Sequence, residues 1–165
     1  MSAVANIFLT FVVALVIHEV GHLIAARVCR VPVTQAGFGW GPEVCSVRAY
    51  DVDYFVRLVP AGAYIRMDMA SLQKRPFSQQ LIVLFAGIAV NLIFSILAWG
   101  TLFGAFNLAL AIGNLLPVYQ QDGWKMGMII CRTAFGRPSP LVEWCLTISG
   151  ALVGVSLLVR ALINL

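Results

Sequence analysis

Between Arg75 and Asp122 the chain runs for 46 residues without a formally charged side chain. A bilayer is crossed by about 20 apolar residues in helical form, since a lipid-facing backbone must satisfy its own amides. The run is too long for one crossing and suits two, reversing between Gly100 and Gly104. A second uncharged stretch fills residues 3–17, and charged residues make up only 11% of the 165-residue chain, against about 25% in soluble domains. The expected fold class is an α-helical polytopic membrane protein organised as a single domain over residues 1–165.

Four transmembrane helices are expected, at about residues 4–28, 79–101, 105–135 and 141–163. The third is broken, because Asn114-Leu115-Leu116-Pro117-Val118-Tyr119-Gln120-Gln121-Asp122-Gly123 sets a proline and a polar patch inside it, with apolar character resuming after Trp124. Lys74-Arg75-Pro76 stops the chain before the second span, with Ser78 as its candidate N-cap. Residues 31–67 are different. Glycines and prolines there punctuate Val-, Tyr- and Phe-rich stretches, and residues 44–50 and 54–59 read as strands joined across Asp51-Val52-Asp53. A small membrane-associated antiparallel β-sheet between the first two spans fits. Its edges must be covered, or lie where water reaches.

Seven of the eleven basic residues lie at the end of the first span or between it and the second, which makes that loop cytoplasmic by the positive-inside rule and puts the N-terminus outside. Arg132 and Arg137 then fall inside, while Arg160 falls outside. Acidic residues interleaved with this charge argue against a nucleic-acid partner. The N-terminal segment lacks a basic leader and reads as a retained span. Cys29, Cys45, Cys131 and Cys145 form no CxxC pair and read as free thiols. A Gly-x-x-x-Gly pattern at Gly150 and Gly154 permits close helix contact.

Inside the first span lies His18-Glu19-Val20-Gly21-His22, which holds both histidines of the chain. Residues four apart share a helix face, so both imidazoles can reach one metal ion, with Glu19 beside them as a base toward a water. Ionisable groups at membrane depth are costly and mark functional sites by default. A catalytic zinc site takes three protein ligands. With no third histidine, and Glu19 needed as base, the remaining ligand within the spans is Asp122.

These motifs resemble those of the site-2 protease family of intramembrane zinc metalloproteases. The resemblance rests on His18-Glu19-Val20-Gly21-His22 and on Asn114-x-x-Pro117-x-x-x-x-Asp122-Gly123. Gly37-Phe38-Gly39, residues 60–67 and Phe85-Ala86-Gly87-Ile88-Ala89-Val90-Asn91 support it. It implies that His18, His22 and Asp122 hold one Zn2+ per chain and that Glu19 activates the water. It also implies that the sheet, with Gly37 and Gly39, pairs with substrate and that Asn91 positions the unwound substrate segment. Read from the residues alone, Asn91 is a helix–helix hydrogen bond. Asn114, Pro117 and Gly123 would shape the break that delivers Asp122. Ile88 stands where the family usually has proline, Trp124 where a small residue is common, and Gln121 where an apolar one is common. Family members often carry PDZ domains between spans two and three, where this chain has a short turn.

The expected function is zinc-dependent endoproteolysis within or near transmembrane segments. The alternative is a catalytically silent zinc-binding scaffold that captures transmembrane helices. Expected partners are single-span membrane-protein substrates and the lipid bilayer, with an accessory membrane regulator or a second copy controlling entry. The expected location is a prokaryotic plasma membrane, with the site toward the cytoplasmic face.

Overall fold

The computed structural model of the chain describes residues 2–136 and 140–163; Arg137 lies outside them. Six helices and a sheet follow in the order α1 (Ala3–Val28), β1 (Val33–Ala49), β2 (Val52–Met67), α2 (Met69–Gln73), α3 (Phe77–Leu97), α4 (Leu102–Leu115), α5 (Asp122–Phe135) and α6 (Pro140–Ile163). They divide into two compact units, residues 1–111 and 112–165.

In the first unit, α1 begins at Ser2, whose side chain accepts the Ala5 N–H, and its 26 residues span about 39 Å at 1.5 Å per residue. It buries Ala14, Gly21, Ala25 and Ala26 with the two histidines, while α3 buries Val83, Leu84, Gly87 and Ile88. Small residues let the backbones approach. A Cβ added at Gly21 would sit 2.9 Å from the Ala86 carbonyl oxygen of α3. Away from this contact Ile7, Phe8, Ile24, Ile82, Ile93 and Ile96 are exposed, an apolar surface that suits lipid tails rather than water. α1 and α3 are long and apolar enough to cross a membrane; α4 and residues 140–156 of α6 are apolar but shorter. The N-cap of α3 is Pro76, not Ser78, because proline pre-sets the extended backbone that precedes the first turn and Ser78 is already inside the helix.

The expected strands are present but longer. β1 and β2 pair antiparallel through a turn at Tyr50 and Asp51, both at positive φ. Register shifts bend both strands, so residues 35–38 of β1 lie beside residues 63–66 and also beside residues 53–56 of β2. Gly39, at φ +92°, makes this bend possible, since a Cβ there would press on the Arg57 and Val59 carbonyls at 2.8 Å. At the exit from the sheet, Asp68 caps α2 through the Ala70 and Ser71 amides. The Ser71 hydroxyl beside its carboxylate, helped by the same amides, holds Asp68 below the usual carboxylate range.

In the second unit, residues 116–121 leave the helical path, as Pro117 and the polar patch require. The expected break is there: α4 ends at Leu115 and helix resumes as α5, which carries Lys125 and Arg132. Arg132 Nε donates to Glu143 Oε1 of α6 at 2.7 Å. Gly150 and Gly154 of α6 seat the break: a Cβ at Gly150 would meet the Pro117 carbonyl oxygen at 2.7 Å, and one at Gly154 would meet Val118 at 3.0 Å. The Gly-x-x-x-Gly pattern thus serves a contact within the chain.

Gly21→Leu should force α1 and α3 apart and lower the free energy of unfolding by about 1–3 kcal/mol, the usual cost of overpacking. Denaturant unfolding in mixed micelles reads this, and an unchanged midpoint would show that the contact is not tight.

Candidate metal centre

Helical periodicity places His18 and His22 on the face of α1 that packs against α3, and both are buried. Their Nε2 atoms stand 3.1 Å apart. Two nitrogens on one tetrahedral zinc, each at about 2.0–2.1 Å, are separated by about 3.3 Å, so the pair fits a shared ion. The Nδ1 of His22 lies 2.8 Å from the Val83 carbonyl oxygen of α3. A carbonyl can only accept, so this nitrogen carries a proton and donates it to Val83, leaving Nε2 to face His18. That is the usual outer support of a ligating histidine.

α3 also leaves room for the rings. A Cβ at Gly87 would come within 2.5 Å of His22 Nε2 and 2.8 Å of His18 Cε1 and Nε2. One turn further along, Asn91 is fully buried, and its carboxamide makes no hydrogen bond to the described residues. The helix–helix hydrogen bond expected from its residue type is not made among the described residues. A buried amide without a partner costs about 1–3 kcal/mol.

Glu19 is half-buried, and its Oε2 accepts the Ile65 N–H of β2 at 3.0 Å. It borders an apolar cavity of about 280 Å³ between α1 and the sheet, whose walls include Val20, Gly37, Phe38, Tyr64 and Ile65. Gly37 is required where it stands, since a Cβ there would collide with the Tyr64 ring at 2.5 Å. Gly37 thus lines the cavity, whereas Gly39 serves the bend of the sheet.

Asp122 opens α5 and is buried, with Lys125 Nζ donating to its Oδ1 at 3.0 Å. Gly123 allows the preceding turn, because any Cβ there would overlap the Leu115 carbonyl. Pro117 lies in the break, and Asn114 in the last turn of α4. His18 and His22 supply two buried imidazoles in the first unit, and Asp122 a buried carboxylate in the second. Two imidazoles and a carboxylate are a donor set suited to zinc.

Residues 6–106, more than half of the chain, match the model of peptidase family M50. The chain belongs to that family, the site-2 proteases. The match contains the His18–His22 motif, the sheet and Asn91, and ends before Asp122. A relative from Fusobacterium nucleatum, provisionally named a zinc metalloprotease, is 34% identical over 98 residues, 50% of this chain and 29% of its own length. One of the same name from Helicobacter pylori is 31% identical over 113 residues, 60% of this chain and 32% of its own. A chloroplast protein of Arabidopsis thaliana, provisionally named a membrane metalloprotease, is 30% identical over 93 residues, 49% of this chain and 21% of its own. The chain thus spans about a third or less of the length of these M50 relatives.

Four contributors escaped the sequence reading. The Val83 carbonyl and Ile65 amide belong to the backbone and carry no residue signature. Gly87 stood only among supporting residues. Lys125, one helical turn after Asp122, could have been found from its i+3 spacing.

Gly87→Val should displace the imidazoles and weaken zinc binding by about 10–100-fold, the range for disturbed support of a metal ligand. Competition with a calibrated chelator measures this, and wild-type affinity in the variant would show that the ring pocket is not confined by α3.

Proposed function

We propose that this M50 member is a zinc-dependent intramembrane endopeptidase that hydrolyses peptide bonds within or near the transmembrane segments of membrane-protein substrates. The observation that carries this reading is the convergence of His18 and His22 Nε2 atoms at 3.1 Å on a helix long and apolar enough to cross a membrane, with Glu19 between them in sequence. Asp122 is the third ligand in this reading, and Lys125 orients its carboxylate. The chain is multi-pass, with its N-terminus outside a prokaryotic plasma membrane and the site toward the cytoplasmic face, as its clustered basic residues favour.

A zinc ion bound by this set supplies an acidified water, with a pKa near about 7, and an electrophile for the peptide carbonyl. Glu19 accepts the proton of the attacking water and returns it to the departing amine. The protonated His22 Nδ1 stays on the Val83 carbonyl throughout, so the ring keeps its orientation. A helical substrate hides its carbonyls in intrahelical bonds and must unwind before attack. Asn91, buried with no other hydrogen-bond partner among the described residues, then offers its carboxamide to the exposed peptide groups. The apolar cavity beside Glu19 suits side chains drawn from a membrane helix.

A silent zinc-binding scaffold would have no use for a carboxylate adjoining the metal ligands. Glu19→Gln should keep one zinc per chain and lose cleavage of purified single-span substrates by about 1,000-fold, within the 10²–10⁴ range typical of a lost acid–base group. Undiminished turnover would sink the protease mechanism. Asp122→Ala should weaken zinc binding, and unchanged affinity would show the third ligand to be misassigned.

A further inference from the structure

We infer that the backbone N–H of Ile65 is a positioning donor for Glu19, fixing the carboxylate in the orientation from which it moves protons. The inference rests on the protease reading above. Its starting point is the 3.0 Å hydrogen bond from the Ile65 N–H to Glu19 Oε2, which joins residues 46 positions apart.

Three features make this bond a fixed point. Ile65 is paired with Ala36 in the sheet, yet its N–H is turned to α1, so the strand is held by one neighbour while its amide serves another. The adjoining Tyr64 lays its ring over Gly37, within 2.5 Å of where a Cβ would stand. Glu19, by contrast, has three side-chain torsions and half-exposed surroundings. Such a side chain has several rotamers open to it along the wall of the cavity. A charge-assisted bond to a rigid amide selects one of them. Because the donor belongs to the backbone, ordinary substitutions at position 65 preserve it, and no side-chain motif announces it.

The experiment replaces the amide of residue 65 by an ester, incorporating the α-hydroxy analogue of isoleucine into the zinc-loaded full-length chain in nanodiscs. The side chain remains and the donor is lost. A positioning role gives a kcat lower by about 10–100-fold, with KM, zinc per chain and melting temperature unchanged. An unchanged kcat overturns the inference, as does a fall accompanied by lost zinc or a lower melting temperature, which would mark a structural bond only. A second readout needs no turnover. In protein labelled with 15N-isoleucine, the Ile65 amide proton should move upfield in Glu19→Ala and stay in place in Glu143→Gln. A resonance indifferent to Glu19 overturns the inference whether or not the chain cleaves anything. Conversely, cleavage surviving Glu19→Gln would defeat the protease reading while leaving the amide's response to Glu19 intact.

Discussion

The close contact between α1 and α3 is the constraint on which the rest of the first unit depends. Gly21 on one helix and Gly87 on the other leave no side chain where the two meet, so the Val83 carbonyl comes within hydrogen-bond reach of His22. Two buried imidazoles in apolar surroundings would otherwise be a liability. Here one ring nitrogen of His22 is held by backbone, and the Nε2 atoms of both rings stand 3.1 Å apart. The same approach brings Asn91 onto the buried face of α3. The packing of the rings thus follows from two missing side chains.

The sheet gives this arrangement its second boundary. Its bend, released by Gly39, brings residues 63–65 along the side of α1 and leaves a cavity there with Glu19 in its wall. Membership of family M50 accounts for residues 6–106, and those residues contain everything in this account except Asp122 and its surroundings. In the second unit the seating of residues 117–119 against Gly150 and Gly154 gives the Asp122 turn a defined shape.

Side-chain chemistry was legible in the sequence, and backbone chemistry was not. The pairing of His18 and His22 could be read because helical spacing and residue type together place two imidazoles on one face, as the structure shows; Asp122 was singled out from the inventory of possible third ligands. The spans of α1 and α3 followed from uncharged length alone. The full strands did not: glycines and prolines that look like terminators instead absorb bends within continuous strands. The break between α4 and α5 was legible because Pro117 and the polar residues around it cannot continue an apolar helix. The supporting contacts of the site come from a carbonyl, an amide and a glycine, none of which announces its role by residue type.

Zinc K-edge X-ray absorption on the purified chain, loaded with one equivalent of metal, tests the central claim most directly. Ligation by His18, His22 and Asp122 gives a four-coordinate spectrum with imidazole multiple scattering and nitrogen or oxygen neighbours at about 2.0–2.2 Å. A sulfur shell at about 2.3 Å, or the absence of imidazole scattering, would contradict it.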